Sequence, residues 1–497
     1  MEFGLVIALL TGWKGCTIFD YWWESCRLGA TILQLTYFSE LPMRKRKVLS
    51  VLVISLLLFL SACGNGEEEN QNNGDGDSDI VNGDGDNGDT DNGDGDGDGE
   101  NGDGDGETLP FEDCTVTLSA TGGAQSDYDA VQGAFLEASE GDIICFFDGE
   151  YQFEEQLSLQ VSNVEIRGES RDGVRLDFSN QDGGASGLDV QDVNRFTIRS
   201  LSVLNTAGDG IVVRNSSWVT FDDVAVVWEG GPLTANGAYG LYPVQSEYVI
   251  VENSFVSGAS DAGIYLGQSV YGIIRNNEVS ENVAGIEVEN STFVDVYGNN
   301  VHSNTGGILI FNLPNLQRKE GEETRVFENE VRDNNLANFT SGGIVQFVPR
   351  GTGILIIGVQ DVEIFDNEVD DHASMAIAIV SYQSIPLEYE DPEYYPFAEG
   401  IYVHSNTITN SGYSPDGLAA GATDIRPIPD ILWDGIFNPG ADADEARNCF
   451  SNNVGDNDEP ASFGNLRAFD SELGPTDELG ENDCIRESLT PVEFPQE

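Results

Sequence analysis

Two tyrosines and two glutamates recur at short, regular intervals in the middle of the chain. Tyr242, Tyr265, Glu287 and Glu289 each fall in a short stretch opened by glycine, with Gln268 and Asn290 just beyond and Asp261 just before. If those stretches are β-strands, the second and fourth side chains after each glycine leave one face of a sheet and the first and third leave the other. Tyr242, Tyr265, Glu287 and Glu289 then share a face. Tyrosine rings stack on sugar rings, and amides and carboxylates bind hydroxyl groups, so a carbohydrate is the ligand such a patch would take. Two carboxyl groups on adjacent strands, Asp261 and Glu287, have the spacing for acid and base work on a glycosidic bond, roughly 5–10 Å. The competing reading is a merely solvated sheet face, because tyrosines on neighbouring strands also stabilise a bare sheet.

The elements that must position these residues are repeats. Stretches reading glycine (once alanine), apolar, any, apolar begin at Gly187, Gly210, Gly240, Gly263, Gly285, Gly307, Gly353, Ala376 and Gly400. Most lie 22–24 residues apart. A second set, led by Asn253, Asn277, Asn299, Asn329, Asn367 and Asn406, interleaves with the first. A fixed period of this size with short strands in each unit predicts a parallel β-helix, one coil per rung. Leucine-rich repeats share the period but require a leucine consensus, which is missing. The glycine is expected to serve the bend from the preceding turn. The asparagines are expected to stack and share amide hydrogen bonds along the axis.

Ahead of the repeats, Ala130, Val131, Ala134, Phe135 and Ala138 fall at helical spacing, with Asp127 placed to cap the helix. Strands are predicted at Ile143–Phe147 and Tyr151–Phe153. The helix would cover the exposed end of the coil. The fold class is therefore all-β, a right-handed parallel β-helix over 108–410 with an N-terminal cap helix. Residues 411–497 lose the rung pattern and read as an irregular capping tail.

Later rungs place Leu309, Phe311, Leu355, Ile357 and Val380 on the outward face, an unfavourable stripe if left bare. Long insertions lie nearby, at Leu313–Thr324, Leu336–Gly351 and Tyr382–Glu399, and are expected to fold over the stripe as one wall of a cleft. Tyr402 and His404 would close its far end.

Residues 113–410 resemble the right-handed parallel β-helix proteins of the pectin-lyase-like superfamily, and within it bacterial lipoproteins built of such repeats. The runs Tyr239-Gly-Leu-Tyr-Pro-Val-Gln-Ser, Ser260-Asp-Ala-Gly-Ile-Tyr-Leu-Gly-Gln-Ser and Val283-Ala-Gly-Ile-Glu-Val-Glu-Asn-Ser carry the resemblance. It implies the fold and leaves the activity open among lyase, hydrolase, epimerase and inert scaffold. Alginate C5-epimerases share this fold and carry a strand resembling Tyr-Gly-x-Asp-Pro-His-Asp. Here Tyr239, Gly240 and Pro243 match, but Tyr242, Val244 and Gln245 stand where the acid, the histidine and the second acid would be. That route lacks its base and acid. Asp261 and Glu287 are the candidate catalytic pair; Tyr239, Tyr242, Tyr265, Gln268, Glu289 and Asn290 are the candidate binding residues. No cofactor is called for, although clustered acids leave room for Ca²⁺, and the metal ligands are unassigned. Arg214 and Arg275 are the only bases expected near the patch.

Composition frames this reading. The chain of 497 residues carries 22 Lys+Arg against 87 Asp+Glu, a formal net charge of −65. Such a polyanion excludes nucleic acid as a partner. From Met43 the chain reads as four basic residues, a 13-residue apolar run to Leu60, then Leu60-Ser61-Ala62-Cys63. That order predicts an export signal over 43–62, too short to span a bilayer. It resembles the lipobox of bacterial lipoproteins, which implies lipid attachment at Cys63 and, with Gly64 next, the outer membrane. Residues 1–42 precede a complete signal and read as a mis-annotated extension. Residues 64–107, with 17 acids and no base, read as a disordered tether. Its run Asp94, Asp96, Asp98, Gly99, Asp105 imitates a calcium loop by chance repetition. The remaining −50 lies in 108–497, where Lys319 is the only lysine, as in proteins of saline surroundings. Cys114, Cys145, Cys449 and Cys484 suit disulfides in an oxidising compartment; three pairings are open, with Cys114–Cys145 and Cys449–Cys484 favoured by proximity. A monomer is expected. The alternative to an enzyme is a non-catalytic glycan-binding or structural envelope protein.

Overall fold

A computed structural model describes residues 111–495, apart from 443, 445 and 470–472. The extension, the export signal, Cys63 and the tether lie outside the described residues. Among the described residues no helix is long and apolar enough to cross a membrane.

The described chain is a parallel β-helix. Sheet B holds eleven strands stacked in chain order from Leu157–Leu159 to Phe463–Asn465, and sheet A holds twenty. All pairings between these strands are parallel. Eight of the nine predicted glycine- or alanine-led strands lie in sheet B, side by side. Inward residues of neighbouring rungs stack in one apolar column: Ile264, Leu266, Ile286, Val288, Ile308 and Ile310 are all at most 1% exposed. Each such side chain contributes about 1.5–3 kcal/mol relative to exposure.

The glycines serve space rather than the expected bend. Gly263, Gly285 and Gly307 have ordinary φ, but a Cβ on Gly263 would stand 2.6 Å from Val279 Cγ1 and 2.9 Å from the Gly285 carbonyl oxygen. The next rung's backbone and the inward valine of the same rung leave no room for a methyl group.

Asparagines form a ladder as expected, with one change of register. Asn277, Asn299, Asn329, Asn367, Asn406 and Asn453 pass amide hydrogen bonds along the axis at 2.9–3.0 Å. Each oxygen also accepts the main-chain N–H of the ladder residue on the preceding rung. Ser254, not Asn253, takes the ladder position of its rung, its N–H donating to Asn277 Oδ1 at 2.9 Å. Asn253 sits one residue earlier, left-handed at φ 53°, and bonds Asp222. A second ladder, Asn282–Asn304–Asn334, runs parallel to the first.

Three expectations are corrected. The cap helix spans Ala124–Glu137 with Gly123 at its N-cap. Asp127 lies inside the first turn, where it accepts Thr121 N–H at 2.7 Å and Gln152 N–H at 3.1 Å, tying the helix to the first rungs. The strand Tyr402–His404 belongs to sheet A, paired with Glu363–Phe365, so Gly400 only imitates the sheet B pattern. The coil also continues past 410: Ile431–Trp433, Cys449–Ser451 and Phe463–Asn465 each extend it. Long insertions inside those rungs hid the period.

The disulfides Cys114–Cys145 and Cys449–Cys484 both form. The second holds a C-terminal strap that runs back across the strands of sheet A. Leu489 N–H donates to Glu363 and Val492 N–H to Asp295, and Phe494 meets Trp218 and Tyr248 edge-on. Those rings begin a stacked column, Trp218–Tyr248–Tyr271–Phe293, with centroids 4.5–5.2 Å apart.

Candidate functional site

Strand alternation sets the patch on the outer face of sheet B, as expected. Tyr242 lies beside Val212, Tyr265 beside Glu287, and Glu287 beside Leu309. Tyr239, in the position before its strand's glycine, joins Tyr242 and Tyr265 in a cluster with centroids 4.5–5.0 Å apart. Tyr265 leans along its own strand, over Gly267, and donates to Glu289 Oε1 at 2.7 Å. Gly267 permits this, since a Cβ there would stand 2.2 Å from the Tyr265 ring.

Three carboxyl groups meet here. Burial is the first cause pushing each one up, and mutual repulsion adds to it for Asp261 and Glu287. Asp261 rises to about 7, Glu289 to about 7, and Glu287 well above the usual carboxylate range. Hydrogen bonds from Tyr239 to Asp261 and from Tyr265 to Glu289 partly offset this. Glu287 is 1% exposed, and its Oε2 has no hydrogen-bond partner. A carboxyl group so placed is held neutral at neutral pH. Asp209, on the rung before Tyr239, is raised by burial to about 6 and accepts the Tyr239 N–H at 3.1 Å. Sequence reasoning missed Asp209, although it occupies the same position before its glycine as Tyr239 does.

The insertions do fold over the outward stripe. Leu309, Phe311, Leu355 and Ile357 are buried in a second apolar cluster with Val345 and Val348 from one insertion and Tyr382, Ile385 and Tyr394 from another. Gly343 of the insertion Leu336–Gly351 roofs the acids; a Cβ on it would lie 3.4 Å from Asp261 Oδ2. The insertion Leu313–Thr324 is held by the amides expected to bind substrate. Gln268 Oε1 accepts the N–H groups of Gln317 and Arg318 at 3.0 and 3.3 Å. Asn290, fully buried, donates to the carbonyls of Leu313 and Arg318 and accepts the Leu313 N–H. Both sit at left-handed corners leaving sheet B, φ 51° and 43°. Asn290 therefore positions a loop and presents no amide to a ligand, which corrects the expectation for it. Lys319 pairs with Asp391 at 2.6 Å, joining two insertions.

One of the two expected bases and the far wall lie elsewhere. Arg275 is on sheet A, paired with Glu252, and Arg214 pairs with Asp189 at the edge of the patch. His404 stacks on Phe365 and Tyr402 on sheet A and bonds Glu363 at 3.1 Å, so neither it nor Tyr402 closes a cleft on sheet B. Among the described residues no group of three or more His, Cys, Asp or Glu side chains is arranged to hold a metal ion, the three acids included.

The family model described as the right-handed beta helix region matches residues 186–345 and, in a second overlapping placement, 233–408. The fold is that of a right-handed parallel β-helix. No curated protein matches it significantly. Among solved structures it is similar to the A-module of an Azotobacter vinelandii mannuronan C-5 epimerase, at 16% identity over 67% of this chain and 90% of that one, with a TM-score of 0.41. It is also similar to a hyperthermoactive exopolygalacturonase from Thermotoga maritima, at 11% identity over 70% of this chain and 90% of that one, with a TM-score of 0.43. An alginate lyase from a Paenibacillus species matches at 16% identity over 59% of this chain and 95% of that one, with a TM-score of 0.33.

Proposed function

We propose that this chain is a lipid-anchored envelope protein, held through Cys63 at the outer membrane, that binds polysaccharide on the outer face of sheet B and modifies it by acid and base chemistry. The observation that carries the reading is the cluster of Asp261, Glu287 and Glu289 beneath Tyr239, Tyr242 and Tyr265. A carboxyl group poised near 7 donates or takes a proton at neutral pH, as a general acid or base must. Asp261, the least buried of the three acids, is the group that would reach a glycosidic oxygen or a ring proton. Glu287, deep behind it, is a positioning residue that stays protonated, while burial and the charges of Glu289 and Asp209 keep Asp261 high. Tyr239 and Tyr242, both half-buried, offer the stacking surface. Gly343 and its neighbours would have to lift for a chain to enter.

The roof over the acids favours one alternative, a glycan-binding protein without turnover. The two separate by experiment. Purified protein is offered a panel of neutral and acidic polysaccharides, with product release and binding both measured. Asp261→Asn is expected to lower turnover at least a hundredfold while leaving affinity within about threefold. Glu289→Gln, which removes the nearest repelling charge, is expected to move the alkaline limb of the pH–rate profile to lower pH. Binding lost in Tyr242→Ala, with no turnover by the unaltered protein, establishes the alternative instead.

A further inference from the structure

A cavity of about 580 Å³ opens on the same face of the coil, beyond the buried stripe. Its floor is sheet B, at Leu355, Val380 and Leu432, and its walls are the insertion carrying Phe347 and the short helix Gly417–Ala422. Small residues of that helix, Ala419 among them, leave the space open. Leu418 stands at the mouth, 40% exposed. The volume is in the range of small-molecule sites.

The lining says what fits. Its polar groups, Ser384 and Asp434, satisfy each other: the Ser384 hydroxyl donates to Asp434 Oδ2 at 2.7 Å. That oxygen also accepts Ser381 N–H at 2.7 Å, and Asp434 Oδ1 accepts Ile436 N–H at 2.9 Å. A water molecule needs two or more polar partners to stay, and a sugar ring needs more. A partner's strand would need free backbone groups to pair with. An aliphatic chain needs none of these. The strongly acidic surface of the coil, −50 over residues 108–497, repels an anionic head group. Leu355 lies beside Leu309, which lies beside Glu287, so the cavity floor begins two rungs from the acids, roughly 10 Å away.

We propose that this cavity binds the aliphatic chain of an amphiphile whose head group is uncharged and hydroxylated, such as an acylated sugar. The head would lie toward the tyrosines and acids while the chain fills the cavity between the helix and the strands. The chain site stands on its own lining and does not require that the acids turn over a glycan.

The test uses the full chain with Cys63→Ser, so that no lipid of its own competes, prepared without detergent. The uncharged dye N-phenyl-1-naphthylamine reports the cavity by fluorescence, and decanoyl sucrose and decanoate displace it below their micelle concentrations. Displacement by decanoyl sucrose at least tenfold better than by decanoate is expected. Ala419→Phe, which fills the space, and Leu418→Asp, which charges the mouth, are each expected to weaken displacement at least tenfold. Leu418 is exposed, so Leu418→Asp decides the matter if Ala419→Phe does not fold. Unchanged displacement in every folded variant, or no displacement at all, overturns the site. Better displacement by decanoate overturns the uncharged head. Neither variant touches Asp261 or Tyr242, so these outcomes are read independently of the glycan assays.

Discussion

Glu287 is an ionisable side chain that the fold has stripped of water and of partners on one oxygen. Such a group, with Asp261 and Glu289 beside it, binds its proton more tightly in the folded chain than in the unfolded one. The sign of the pH dependence follows. Folded values near 7 exceed unfolded values near 4, so the folded state holds more protons between them and stability falls as pH rises across that window. Thermal melts are expected to show a higher midpoint at pH 5 than at pH 7.5, and Asp261→Asn with Glu289→Gln is expected to flatten that difference. A double variant that keeps the full difference would assign it to other groups. The tyrosine and glutamate positions were legible from alternation alone, because strand geometry dictates which side chains share a face. The use of Gln268 and Asn290 was not, since both serve a loop that returns from as far as 50 residues away and no local pattern encodes it.

At the scale of the element, the asparagine ladder does what the glycine-led strands do not: it fixes the corner between two strands on each rung from Asn277 to Asn406. Asn329 donates to Asn367 Oδ1 and to the Val296 carbonyl, and accepts from the N–H and the amide of Asn299. Asn329→Leu is expected to strand those buried groups and to destabilise the coil by about 3 kcal/mol, at 1–3 kcal/mol per unsatisfied group, measured as a lower urea midpoint with unchanged slope. A change within about 0.5 kcal/mol would mean that water replaces the amide. The repeat itself was readable because each rung spells its inward positions alike. It misled where spelling and place diverge. Gly400 copies a sheet B opening on a sheet A strand because an insertion of near one period precedes it. Beyond residue 410 two further insertions stretch the spacing, so strands Ile431–Trp433 and Phe463–Asn465 escaped notice.

Across the whole molecule, the strap adds something a stack of rungs lacks. Deleting residues 485–497 removes two N–H donations to the carboxylates of Asp295 and Glu363, each worth about 1.5–3 kcal/mol, and uncovers Trp218. The truncated protein is expected to lose a few kcal/mol and to show red-shifted tryptophan emission with both disulfides intact; identical melts and spectra would make the strap ornamental. A solenoid otherwise contacts only its nearest neighbours and frays from either end. Here Leu489 reaches back 126 residues and Val492 reaches back 197. Such distant closures raise the contact order of a fold that is local everywhere else, and they wait on the last residues to be made. The coil can assemble rung by rung as the chain emerges, but it is fastened only once Leu489 and Val492 have followed.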